Sequence, residues 1–297
     1  MNEEIIKMIA LFEGRSVARA RTNVMGILNV NDDSFYAVSR AQSFEDALQK
    51  IDEMVDAGVD ILDIGAESTR PGSMGMDAAE EERTLIPVIR LARERFPDLP
   101  ISIDTRKAHV ARSAIQAGAD IVNDVSGLLL EEERDEMLRA VAETGAVYVL
   151  MHTKGTPQTM QNLTHYDNFW DELTLFFEHR IVDLLDAGIP RERIILDPGI
   201  GFAKRLRDNL EIIANMRELK RHGLPVLIGA SRKGFLGKIL AENLDASSLP
   251  PSERLEATLA VTALCADAGI DIVRVHDVRE NARVIRTIDA AKKHRHG

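Results

Sequence analysis

The chain has 297 residues, with 37 lysines and arginines against 48 aspartates and glutamates, a formal net charge of -11 and 45% hydrophobic residues. This balance argues against broad nucleic-acid binding, and any anionic substrate must depend on a local basic cluster. No apolar stretch approaches a membrane span, no charged-then-apolar leader is expected, and one cysteine, Cys265, excludes an internal disulfide and fits a reducing cytoplasm.

Residues 1–21 read as a lead-in, in which MNEEIIKMIALFEG is a candidate short helix, and residues 22–297 as a single domain. Eight strand candidates follow in order: VMGILNV (24–30), DILDIG (60–65), ISID (101–104), DIVNDV (120–125), AVYVLMH (146–152), IILD (194–197), PVLIG (225–229) and DIVRVH (271–276). Between them lie segments such as SFEDALQKIDEMVDAG, KAHVARSAIQAG and RLEATLAVTALCADAG, whose apolar residues recur at helical spacing. Cys265 sits among those residues, as a structural thiol would. Residues 31–42, 68–78 and 153–166, each after a strand, are expected to be mobile insertions, and SSLPPSER (247–254) a loop that starts a helix.

Three stretches are near copies: AGVDILDIG (57–65), AGADIVNDV (117–125) and AGIDIVRVH (268–276). A looser fourth starts at Ala187. In each, Ala-Gly should close a helix, an apolar run of strand length follows, and a polar tip ends the unit. Strict alternation of buried strand and amphipathic helix predicts a parallel sheet. An open doubly wound sheet is the rival. Eight units, with polar tips after nearly every strand, favour a closed (β/α)8 barrel.

A barrel would gather Asn29, Thr69, Asp104, Asn123, Asp197, Lys233, Arg274 and His276 at one mouth. Asp104, Asn123 and Asp197 offer carboxylate and amide groups to a flat heterocycle with adjacent N–H donors. Each could equally cap a helix or satisfy a strand end. Arg70, Arg232, Lys233, Arg274 and His276 form a basic group suited to a diphosphate, and the loops after strands 7 and 8 are where this fold commonly binds phosphate. The competing reading is loop charge paired to Glu67 or Asp277, which suits Arg106 and Lys107 better than Arg274. His152 reads as a supporting loop histidine. No metal-binding spacing occurs, although Mg²⁺ could bind through substrate phosphates and one protein oxygen, such as that of Asn29.

With these residues in place, the chain resembles the dihydropteroate synthases of the pterin-binding barrel family. The ordered motifs MGILNV (25–30), DIGAESTRPG (63–72), SIDTRK (102–107), NDVSG (123–127), MH…GTPQTMQ (151–161), LDPGIGF (196–202), GASRKGFLG (229–237) and RVHDV (274–278) carry the resemblance. It implies transfer of a dihydropterin-methyl group from its diphosphate to p-aminobenzoate, in folate synthesis. It also implies that Asp104, Asn123, Asp197 and Lys233 hold the pterin. Arg70, Arg274, His276 and Asn29 would hold the diphosphate, with Asn29 on Mg²⁺, and Ser231 would hold the p-aminobenzoate carboxylate. Thr69 and the loop after strand 1 would close the site, and Lys233, Arg274, His276 and Asp33 would be the catalytic set. A cytoplasmic homodimer is the expected state, with the ATLAVTALCADAG region as a candidate face. A non-catalytic pterin-binding paralogue and a methyltetrahydrofolate–corrinoid methyltransferase remain alternatives at this point.

The loop after strand 1 departs from the family pattern. Where the family usually has Thr-Pro-Asp-Ser-Phe-Ser-Asp-Gly-Gly, this chain has Asn31-Asp32-Asp33-Ser34-Phe35-Tyr36-Ala37-Val38-Ser39. Loss of Gly-Gly removes easy access to positive φ, and loss of proline frees a backbone dihedral. Ala203 also stands where the family usually has glycine. Sulfonamides should therefore inhibit this protein less, relative to its p-aminobenzoate affinity, than a synthase with the usual loop. Equal ratios of inhibition constant to p-aminobenzoate KM in the two proteins would reject this.

Overall fold

The computed structural model describes residues 21–30, 40–67, 72–73, 75–241 and 249–294. The expected lead-in helix and most of the loop at 31–42 lie outside these residues. All eight expected strands form: β1 (Asn23–Asn29), β2 (Ile61–Gly65), β3 (Ile101–Asp104), β4 (Ile121–Asp124), β5 (Val147–Met151), β6 (Ile194–Asp197), β7 (Leu227–Ile228) and β8 (Ile272–Val275). They are linked by α1 (Arg40–Ala57), α2 (Ala78–Arg95), α3 (Ala108–Ala117), α4 (Glu131–Thr144), α5 (Phe169–Asp186), α6 (Leu206–Ala214), α7 (Gly234–Leu240) and α8 (Leu255–Ala268), and α9 (Val278–Lys292) follows β8.

Every strand pair is parallel, in the order β6-β5-β4-β3-β2-β1-β8-β7. A parallel bridge between Leu196 and Val226 joins β6 to the start of β7 and completes the ring. The barrel is therefore closed, and the open-sheet alternative is excluded. β7 is shorter than the expected PVLIG strand. Pro225 has no N–H to give the ladder, although its carbonyl still accepts from Leu196 N at 2.9 Å.

Period-two alternation divides each strand between two environments. Met25, Ile61, Ile121, Val147, Val149, Ile195, Leu227 and Ile272 point inward and form an apolar plug. Leu62, Ile64, Val122, Tyr148, Leu196 and Val273 alternate with them and pack against the helices. Two residues above Ile61, Ile121 and Ile272 stand Asp63, Asn123 and Arg274. The same alternation thus lifts polar side chains onto the top of the plug. It also turns Asp124 outward, where Tyr148 donates to its carboxylate at 2.6 Å.

The repeated Ala-Gly ends helices as expected. Gly58, Gly118 and Gly269 follow α1, α3 and α8 with φ of 91°, 117° and 77°, the left-handed conformation of a helix stop. The aspartate two residues after each of these glycines has a role the sequence reading did not assign. Asp60 accepts from Val24 N at 2.8 Å, Asp120 from Ile101 N at 2.9 Å, and Asp271 from Val226 N at 2.7 Å. Each carboxylate thereby ties the base of one strand to a neighbouring strand, at the end opposite the polar tips.

Residues 153–166 are not the loosely held insertion that was expected. Lys154 bonds the His165 carbonyl at 3.0 Å and Glu172 at 2.8 Å, Gly72 N donates to the Pro157 carbonyl at 3.0 Å, and Tyr166 donates to the Ala203 carbonyl at 2.8 Å. The polar residues of this segment are used to fasten it.

Close backbone approach is tightest at Gly199, after β6. Its φ is 68°, and a methyl added there would lie 2.0 Å from the carbonyl oxygen of His152. Gly188 has a similar φ of 84° but open space around it. Gly188→Ala should cost about 1 kcal/mol through backbone strain alone, and Gly199→Ala at least ~1 kcal/mol more. Denaturant unfolding of the two variants checks this, and equal losses would contradict the packing described.

Candidate active site

The mouth of the barrel is built on Arg274. Its side chain is only 18% exposed, and it rises from β8 between two inward carboxylates. Nε donates to Asp63 Oδ2 at 2.6 Å, and Nη2 donates to Asp104 Oδ2 at 2.5 Å. Asn123 Nδ2 lies 3.4 Å from both Asp63 oxygens. Strand register explains the meeting, because Gly65 pairs with Asp104 and Asp104 with Asn123 on adjacent parallel strands. Asp63 is fully buried, so its charge is tolerated only because Arg274 and Asn123 satisfy it.

Electrostatics follow from burial. Loss of water pushes the Asp104 carboxyl up to about 7, against the pull of Arg274. Burial opposes the charge on Arg274, but Asp63 and Asp104 outweigh it and hold the guanidinium above its ordinary pKa. Asp197, at the end of β6, is raised by burial, with Lys233 opposing. Burial lowers Lys233 to about 8, with Asp197 opposing. The four groups form one field: Arg274 favours the Asp104 and Asp197 carboxylates but disfavours the Lys233 charge, and Asp63 disfavours that of Asp104.

Asp197 and Lys233 sit on the other side of Arg274. Gly229 lies between, since a methyl there would be 3.8 Å from Arg274 Cβ and 4.0 Å from Asp197 Oδ2. Asp197 Oδ1 accepts from Gly199 N at 2.7 Å, which fixes the carboxylate plane. Lys233 donates to the Ile200 carbonyl, and its ammonium lies 4.6 Å from the centre of the Phe202 ring. Ser231 is buried, and its Oγ lies 3.0 Å from His276 Nδ1 and accepts from His276 N at 3.2 Å. Asn29 ends β1 with an exposed side chain that has no hydrogen-bond partner among the described residues.

The structure thus brings Asp104, Asn123, Asp197, Lys233 and Arg274 together, and pairs Ser231 with His276. Asp33, Thr69 and Arg70 lie outside the described residues. Arg232 leaves the expected basic group. It takes φ of 55°, forms a two-pronged pair with Asp277 at 2.8 and 2.6 Å, and donates to the Pro251 carbonyl at 2.7 Å. A fork–fork pair with a neighbouring carboxylate consumes the guanidinium. Arg106 and Lys107 pair with Glu67, as loop charges should, and Cys265 is buried with its thiol pushed up to about 12. Asp63 was read as a strand tip but not as a site residue. Its register with Asn123 and Arg274 in the repeats was the available signal. Phe202 and Lys204 were missed as site residues, although Phe202 ends the LDPGIGF motif.

Among the described residues, no group of three or more histidine, cysteine or acidic side chains is placed to hold a metal ion. A dedicated all-protein cage is therefore not built from them.

A parallel barrel with a buried arginine–carboxylate floor and a lysine over an aromatic ring defines an enzyme site for a small polar heterocycle bearing an anionic group. The chain belongs to the family described as pterin binding enzymes, whose pattern matches residues 25–276. It is 45% identical to a dihydropteroate synthase of Synechocystis sp. over 270 residues, covering 91% of this chain and 90% of that protein. A crystal structure of dihydropteroate synthase from Clostridium difficile in the presence of pteroic acid superimposes with a TM-score of 0.82 at 41% identity, covering 91% of this chain and 97% of that one. A Yersinia pestis dihydropteroate synthase in complex with a sulfonamide drug has a TM-score of 0.82 at 37% identity, covering 93% and 95%.

The raised Asp104 predicts a pH effect on the unliganded protein. Between pH 3.8, the ordinary carboxyl value, and about 7, the folded chain keeps a proton that the unfolded chain has released. Stability from this group therefore falls as pH rises through that window. The difference in melting temperature between Asp104→Asn and the unsubstituted protein should shift in favour of Asp104→Asn from pH 5 to pH 8. A difference that does not move with pH would contradict the assignment.

Proposed function

We propose that the chain is a dihydropteroate synthase, which joins (7,8-dihydropterin-6-yl)methyl diphosphate to p-aminobenzoate and gives 7,8-dihydropteroate and diphosphate. The observation that carries this reading is Arg274 held between Asp63 and Asp104 on the barrel floor, beside Asn123, Asp197 and Lys233. A 2-amino-4-oxo heterocycle has adjacent N–H donors for a carboxylate such as Asp197 and a mixed edge for the amide of Asn123. Lys233, over Phe202, donates to a ring oxygen or nitrogen. Arg274 joins the two halves of the site, since its guanidinium both fixes the acceptor wall and adds positive charge toward the diphosphate.

The reaction needs little acid or base assistance. The amine nitrogen lone pair attacks the methylene carbon, the C–O bond to diphosphate breaks with its electron pair going to oxygen, and the amine loses one proton. Positive charge that develops on the methylene spreads into the dihydropterin ring, where Asp104 and Asp197 stabilise it. Arg274 and the Ser231–His276 pair stabilise the leaving diphosphate, with Arg70 in the same role and Thr69 and Asp33 from the closing loops. Ser231 also suits the p-aminobenzoate carboxylate. Asn29 would hold Mg²⁺ by its exposed side-chain oxygen, and the ion would supply charge neutralisation for the leaving diphosphate. Catalysis is then mainly positional and electrostatic.

Arg274, Lys233 and His276 favour this reading over methyl transfer from methyltetrahydrofolate, whose donor carries no diphosphate. A homodimer is supported by Leu210 on α6, Ile239 and Leu240 on α7 and Leu264 on α8, large apolar residues left 42%, 41%, 38% and 51% exposed on helices that pack around one another. No helix among the described residues is long and apolar enough to cross a membrane. The test is diphosphate release from the dihydropterin substrate with Mg²⁺, with and without p-aminobenzoate. Amine-dependent turnover, reduced at least about 100-fold in Arg274→Ala, is expected. Pterin binding without turnover would identify a non-catalytic paralogue instead.

A further inference from the structure

Lys204 is 4% exposed and takes no direct part in the chemistry above. Its Nζ lies 2.8 Å from His152 Nδ1 and donates to the His152 carbonyl at 3.2 Å and the Phe202 carbonyl at 3.0 Å. Burial holds Lys204 well below the ordinary lysine pKa, with Asp197 opposing. Burial, with Lys204 and Lys154 nearby, likewise holds His152 well below its ordinary pKa. The imidazole is packed edge-on against Phe176, with ring centres 4.8 Å apart.

These contacts join the end of β5 to the loop after β6. That loop follows Asp197, the end of β6, and supports Lys233: Ile200 accepts from Lys233 through its carbonyl, and Phe202 lies 4.6 Å from the Lys233 Nζ. It is also strained. Ala203 is a buried non-glycine residue with φ of 48°, a conformation that persists only where neighbours impose it. The neighbours here are Tyr166, which donates to the Ala203 carbonyl at 2.8 Å, and Lys204 itself.

We infer that Lys204 is a positioning residue, a clamp between His152 and Phe202 that sets the loop bearing Ile200 and Phe202 so that Lys233 meets the pterin in register with Asp197. The inference rests on the reading of Asp197 and Lys233 as pterin-binding groups. Removing the Lys204 amine leaves the buried His152 and Phe202 carbonyls without donors, and the loop can regain water only by lifting away from β5. Lifting it carries the Ile200 carbonyl and the Phe202 ring away from Lys233, while Asp197, held in the ladder by His152 N on its carbonyl at 2.9 Å, stays in place.

The test is steady-state kinetics of Lys204→Met and Lys204→Gln, with Asp197→Asn beside them. Lys204→Met should raise the dihydropterin KM about tenfold while kcat falls less than about threefold, and Lys204→Gln, which keeps two donors, should raise KM about threefold. A purely structural role would instead lower the active fraction, so that apparent kcat falls and KM stays unchanged. If Lys204→Met does not fold, Lys204→Gln alone decides. A dihydropterin KM within twofold of the unsubstituted protein, with Asp197→Asn impaired, overturns the inference and leaves the site assignment standing. An unimpaired Asp197→Asn overturns both.

Discussion

The site depends on one buried arrangement, the Arg274 guanidinium held between the Asp63 and Asp104 carboxylates above an apolar plug. Three charges in a barrel interior would be destabilising one at a time. Together they leave a net negative, hydrogen-bonded floor whose geometry is set by strand register and not by loops.

Much of this was legible in the residues. The repeated Ala-Gly, apolar run and polar tip place Asp63, Asn123 and Arg274 at one height on three strands, and period-two alternation makes them all point inward. The closed barrel follows from eight such units. The strand-base aspartates Asp60, Asp120 and Asp271 were just as regular, yet their role needed the fold, since each bonds to the backbone of a different strand.

What was not legible is partner choice. Arg232 and Lys233 are adjacent and similar in sequence, but the left-handed backbone at Arg232 sends one side chain to Asp277 and the other to Ile200 and Phe202. Lys204 and His152 are 52 residues apart, and neither belongs to a recognisable spacing. The segment 153–166 looked loose because it is polar, but its polar groups are spent on internal bonds and on the neighbouring loops. Side-chain pairing across barrel loops depends on backbone dihedrals that composition does not encode.

The most direct test of the central claim is a double-mutant cycle on pterin affinity, measured by titration calorimetry with Arg274→Met, Asp63→Asn and the pair. If Asp63 acts by holding Arg274, the double substitution should weaken binding little more than Arg274→Met alone, with a coupling energy above about 1 kcal/mol. Additive losses would mean that the two residues act separately and that the floor is not the unit on which the site is built.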